Sequence, residues 1–202
     1  MLALKHGGNE HRAKNTLALI QAAVRLGASG ATDARELAKA VEARVAALAR
    51  SQSLLTSIGA QGLSLATLIE QEVAPFATRA GSLIVNGPDI NVSAPAAQAL
   101  TMVIHELAAF VAKYGALADT SGRVEILWSL DTGARPTLHF LWREQHTLDP
   151  DPGQRREGFG SRLLDTTIGR QLHGAIARKW HADGFEVQLS IPVEQLGMQA
   201  PS

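Results

Sequence analysis

The chain has 202 residues, 19 basic against 19 acidic side chains, and no cysteine. Balanced charge offers no broad field for nucleic acid or an anionic membrane, and the missing cysteines exclude disulfides, thiolate metal sites and cysteine catalysis. A hydrophobic fraction of 46%, no secretory-type leader and no apolar stretch approaching the ~20 residues that span a bilayer predict a soluble, cytoplasmic protein of one large or two small domains.

From Glu10 to Leu26 apolar residues recur at helical spacing, at Leu17, Ile20 and Val24. Gly27 and Gly30 end the run. Asp33 with Glu36 makes a capping-box pattern for a second helix. That helix carries Leu37, Val41, Val45, Leu48, Leu54 and Leu55 and ends near Gly59. Together they predict an antiparallel helical hairpin over residues 1–60. Its two Ala/Leu-rich stripes are best buried by a second copy, so a four-helix bundle in a homodimer is expected.

Residues 61–202 mix helices and strands. "SLATLIEQEVAPFA" reads as a short helix, and "SLIVNGPDINVS" as two strands around the turn Asn86-Gly87-Pro88. Ser93 and Pro95 open a helix that runs to Tyr114-Gly115. "GRVEILWSL" and "RPTLHFLWRE" alternate like antiparallel neighbours, with a turn at Asp131-Thr132-Gly133. "DPDPGQRRE" is a polar loop, and a helix opens after Gly158 and Gly160. "AIARKW" and "GFEVQLSIP" form a closing hairpin with Asp183-Gly184 as its turn. The expected class is α+β, with the helical hairpin followed by an α/β sandwich.

Four pieces carry chemistry. They are His11-Arg12-x-Lys14-Asn15, His105-Glu106-Leu107 with Lys113-Tyr114-Gly115-Ala116-Leu117, Trp142-x-Glu144, and Gly158-Phe159-Gly160. His11 and Asn15 lie one helical turn apart and so share a face. Gly158 and Gly160 are read either as a phosphate cradle at a helix start or as a plain loop end. His105 and Glu106 are read either as site residues or as polar residues on a helix edge. Trp142 reads as a packed aromatic.

In this order, from about Glu10 to about Pro192, the pieces resemble the HWE histidine kinases of bacterial two-component signalling. The resemblance implies a dimerisation and phosphotransfer hairpin over residues 1–60 and an ATPase-like sandwich over 61–202. It places His11 at the phosphoacceptor position and Glu106 near the nucleotide's metal and water, with Lys113, Gly158 and Gly160 as further nucleotide-binding candidates. The chemistry agrees: a neutral imidazole, with an unperturbed pKa of ~6.5, can attack phosphorus near neutral pH. Asn15 can hydrogen-bond the ring or the phosphoryl oxygens, and Arg12 or Lys14 can neutralise the added charge.

The chain departs from the family at two places. Phe110 stands where the family has a magnesium-holding Asn, and a phenyl ring has no oxygen for a hard cation. Gln145-His146-Thr147 replaces a glycine-rich turn after Glu144. The expectation is therefore a degenerate nucleotide site with no metal ligands. On this reading the chain is a histidine phosphotransferase that relays phosphoryl groups between response-regulator receiver domains through His11, with Arg12 and Asn15 assisting. Magnesium would be supplied by the partner receiver, and the short segment before His11 suggests a bare two-domain unit. The alternatives are an active kinase that autophosphorylates His11 from ATP, and a non-catalytic receiver-docking module. No nucleic-acid or membrane partner is expected.

Overall fold

The computed structural model describes residues 34–58, 62–77, 79–131, 133–147 and 159–198. His11, Arg12, Asn15, the first helix of the expected hairpin, Asp33 and Gly158 lie outside these residues.

The second hairpin helix is present as α1 (Ala34–Ile58). It is rich in alanine, the strongest helix former. Arg44, Ala47 and Leu48 fall at the spacing of one helical face and are buried, whereas Val45 is 38% exposed. β1 (Leu63–Ser64) leads into α2 (Leu65–Val73), whose first turn is capped by the Ser64 hydroxyl accepting from Thr67 N at 3.5 Å. β2 (Leu83–Asn86) and β3 (Asn91–Val92) follow, then α3 (Ala94–Tyr114) with Pro95 in its first turn. β4 (Arg123–Asp131) and β5 (Thr137–Gln145) precede α4 (Phe159–Thr166), which continues into a π-helical turn, Thr167–Gln171. β6 (Ala175–His181) and β7 (Gly184–Pro192) close the fold, with a 3-10 turn at Val193–Leu196.

Five strands form one sheet in the order β2-β4-β5-β7-β6. Its pairs are antiparallel except β2 with β4, which is parallel. Alternation gives the sheet one buried face, lined by Val124, Ile126, Trp128, Leu138, Phe140, Trp142, Val187, Leu189 and Ile191. The side chains of α2, α3 and α4 pack on that face in one core. The opposite face is polar: Arg143 donates to Glu186 at 2.9 Å and lies 3.7 Å from Glu125. The Arg143 bond helps hold the Glu186 carboxyl below its usual range, against the opposing effect of burial. The α+β class and the order of helix then sandwich are as expected.

Three local expectations are corrected. β2 and β3 do not form a hairpin: β2 joins the main sheet, while β3 pairs with β1. The reason is Trp128, whose indole lies so close to Gly87 that no side chain could fit there, and whose Nε1 donates to Pro88 O at 2.8 Å. The connector therefore passes over the indole instead of turning back. The closing turn is Ala182-Asp183, with His181 paired to Gly184. The last long helix starts at Phe159 and includes Gly160 rather than following it.

α3 also corrects the expectation about apolar stretches. By length and composition it could cross a membrane, but 78% of its apolar window is buried inside the protein. The sheet, α2 and α1 surround it, which is why it is apolar on nearly every side.

Phe140 is 2% exposed at the centre of the inner face. Phe140→Ala should lower unfolding free energy by about 3–5 kcal/mol in denaturant titration; a loss below about 1 kcal/mol would contradict this core assignment.

Candidate functional site

The candidate site is built on α3. Glu106, Phe110 and Lys113 are four and three residues apart, so one stripe of the helix carries all three. The structure gives each a specific neighbour.

Glu106 is buried and ion-paired. Arg44 of α1 donates through Nε to Oε1 and through Nη2 to Oε2, the second bond at 2.8 Å. This bidentate geometry uses both carboxylate oxygens. Beside it, His105 is buried, with Nδ1 3.2 Å from Glu72 Oε2 of α2 and its ring edge-on to Phe76 at 5.7 Å. The same Glu72 oxygen accepts from Arg50 Nη2 of α1 at 3.1 Å. His105 and Glu106 therefore belong to two ion-paired networks, not to a solvated edge.

Phe110 sits in an aromatic cluster. Its ring centroid lies 5.5 Å from Tyr114, 6.0 Å from Phe185 and 6.3 Å from Trp180. Trp180 and Phe185 are 4.2 Å apart. Lys113 Nζ is 5.0 Å from the Tyr114 ring centroid, a cation–π contact at the exposed end of α3.

The Trp142-x-Glu144 piece is structural at both ends. Trp142 is fully buried. Glu144 reaches under the end of α3, where Oε2 accepts from Ala116 N at 3.0 Å. Any side chain at Gly115 would run into that carboxylate, so the glycine admits the close approach. Burial pushes the Glu144 carboxyl up to about 7, with the Ala116 bond opposing. Two pieces that look independent in the sequence thus form one clamp.

Gln145-His146-Thr147 is tied down. His146 N donates to Asp183 O at 2.8 Å, and Thr147 donates to Asp119 Oδ2 through N at 2.7 Å and Oγ1 at 2.9 Å. Backbone bonds from Ser121 and Thr147 hold the Asp119 carboxyl well below the usual carboxylate range.

With α1 docked, the described residues present no ready-made magnesium site. Phe110 presents only carbon, both Glu106 oxygens are engaged by Arg44, and among the described residues no group of three or more His, Cys, Asp or Glu side chains could hold a metal. Of the nucleotide candidates the structure brings Glu106 and Lys113 onto one helix, while Gly160 lies in α4. Arg44, Arg50 and Glu72 were missed in the sequence. The available signal was the basic residue inside the apolar stripe of α1, at Val41-x-x-Arg44-x-x-Ala47-Leu48.

The family described as HWE histidine kinase matches residues 9–89. A blue-light-activated histidine kinase of Rhizobium johnstonii (strain DSM 114642 / LMG 32736 / 3841) is 41% identical over 187 residues, covering 91% of this chain and 51% of that protein. The chain belongs to the HWE histidine kinases. Blue-light-activated histidine kinase 1 of Erythrobacter litoralis (strain HTCC2594) is 30% identical over 190 residues, covering 92% of this chain and 52% of that protein. The chain thus spans about half the length of these HWE relatives. The histidine kinase domain of the Erythrobacter litoralis EL346 blue-light activated histidine kinase shares the fold, with TM-score 0.60 and 13% identity over 91% of this chain and 96% of that one.

These similarities overturn the expectation of a histidine phosphotransferase without autokinase activity. The relatives that run through both the hairpin segment and the sandwich are histidine kinases, not stand-alone relay proteins. Substitution at two positions does not by itself make a decayed site. Phe110 is packed among aromatic partners, and Gln145-His146-Thr147 is anchored to Asp119 and Asp183. Both substitutions are integrated into the fold.

Glu144 supplies a pH test. Folded, its carboxyl keeps its proton up to about pH 7; unfolded, it loses it near 4.5. The native state therefore binds more protons in that window, so the Glu144 contribution to stability falls as pH rises through it and levels off above. Glu144→Gln should remove the decline. Its stability relative to the parent chain should rise by up to roughly 3 kcal/mol between about pH 5 and about pH 8, and parallel pH–stability curves would contradict the shift.

Proposed function

We propose that this chain is the kinase module of an HWE histidine kinase, taking the γ-phosphoryl group of ATP onto His11 and passing it to the receiver of a response regulator. The observation that supports this most is the continuous similarity to histidine kinases across the hairpin segment and the sandwich together. The division of labour is the hairpin of residues 1–60 for dimerisation and phosphoacceptance, and residues 61–202 for the nucleotide.

In the first step a neutral His11 nitrogen attacks the γ-phosphorus. An N–P bond forms, the bond from that phosphorus to the bridging oxygen breaks, ADP leaves with the electron pair, and the imidazole proton passes to solvent. Asn15 orients the ring, and Arg12 offsets the charge that accumulates on the phosphoryl oxygens. Glu106, Lys113, Gly158 and Gly160 are the candidate nucleotide contacts. No step is assigned to a metal ion. In the second step a receiver aspartate oxygen attacks the phosphorus, an O–P bond forms as the N–P bond breaks, and the His11 imidazole leaves with the electron pair and takes a proton from solvent; the receiver would hold any magnesium that supplies charge stabilisation there. A homodimer acting in the cytoplasm fits this reading. Val45 on α1 is 38% exposed and available for pairing, while Leu48 is buried.

Incubation with γ-labelled ATP tests the proposal. Acid-labile label should accumulate on the parent chain, His11→Ala should reduce it to background, and Asn15→Ala should slow labelling by about tenfold. Absence of label on the parent chain, or label persisting in His11→Ala, would contradict it.

A further inference from the structure

Among the described side chains of α1 the buried ones are Arg44, Ala47 and Leu48, so a charged group lies within its buried stripe. Around them lie the two ion-paired networks, Arg44 on Glu106 of α3 and Arg50 on Glu72 of α2, which also meets His105 of α3. A buried ion pair adds little over apolar packing of the same shape, but loss of either partner leaves a buried charge uncompensated. Such a contact favours two discrete states, fully docked or released.

The same contact has a second effect. Arg44 uses both oxygens of Glu106. While α1 is docked, Arg44 offsets the charge of that carboxylate and takes one lone pair on each of its oxygens, so the group is turned to α1 rather than to a nucleotide.

We propose that Arg44 is an autoinhibitory latch: its bidentate pair docks α1 on the sandwich and occupies Glu106, so that Glu106 serves the nucleotide only after α1 has moved off. The inhibitory half of this inference rests on the assignment of Glu106 to the nucleotide site; the docking half does not. In the latched state the helix that follows the phosphoacceptor segment is pinned to the nucleotide helix. In the released state α1 and Glu106 are both free to take up catalytic positions.

Two readouts on the full chain separate these halves. The first is amide hydrogen exchange of residues 34–58 without nucleotide, in the parent chain, Arg44→Met, Glu106→Gln and the double variant. Arg44→Met keeps much of the side chain's apolar stem. Each single change should accelerate α1 exchange by roughly tenfold or more, with β5 exchange unchanged as the control for folding. The double variant should exchange no faster than the singles, because both remove one contact. Arg44→Lys, which keeps the charge but loses the fork, should fall between. Unchanged α1 exchange, or additive effects in the double variant, would overturn the latch. The second readout is labelling of His11 from γ-labelled ATP at saturating concentration. Arg44→Met should label several-fold faster than the parent chain. Faster α1 exchange with labelling equal to or slower than the parent would overturn the inhibitory role and leave a docking contact. Accelerated exchange with no label on the parent chain or on Arg44→Met would overturn the kinase assignment and the inhibitory role with it.

Discussion

The buried pair between Arg44 and Glu106 is the contact through which the helical and the α/β parts of this chain act on one another. It spans 62 positions of sequence and joins α1 to the centre of α3. α3 can accept it because the rest of that helix is committed elsewhere. One side packs on the sheet through Leu100, Val103, Ile104 and Leu107, and another meets α2. The helix is thereby a fixed platform, and in the proposed latch what changes hands on it is the carboxylate of Glu106. A hydrophobic contact at the same place would hold α1 down without reporting anything to the nucleotide site. An ion pair that consumes a site residue couples the two.

The end of α3 is fixed by a different device. Glu144 comes up from β5 under Gly115 and binds Ala116 N, so the strand end and the helix end are set against each other. Burial leaves that carboxyl only partly ionised near pH 7, and so the clamp places less than a full negative charge below the helix that carries Glu106. Phe110, between these two features, is braced by Phe185 and Trp180 from the closing hairpin. α3 is therefore supported at its middle by an aromatic cluster and at its end by a carboxyl.

Features with a local signature were legible in the sequence. β4 and β5 alternate at period two through Val124, Ile126, Trp128, Leu138, Phe140 and Trp142, and they pair as that alternation requires. α3 was readable from Pro95 at its start and the break at Gly115. The features that escaped depend on partners far along the chain. The path from Asn86 to Asn91 is set by Trp128, 40 residues after Pro88. The Glu144 clamp joins residues 28 apart. Neither leaves a periodic trace, and the same holds for Arg44 and Glu106. The functional misreading had a related cause. Phe110 was judged by the oxygen it lacks, because the rings that surround it come from β6 and β7, elements whose proximity no local pattern announces.

The central claim is that α1 docking and occupation of the nucleotide site exclude one another. The absence of cysteine makes a direct measurement clean. Spin labels placed through Ala49→Cys on the exposed side of α1 and Ser129→Cys on the exposed side of β4 report the distance between the two parts. The account predicts one distance without nucleotide, and a second population that grows as a non-hydrolysable ATP analogue is added, as reciprocal coupling between two sites requires. A single unchanged distance at saturating analogue would contradict it.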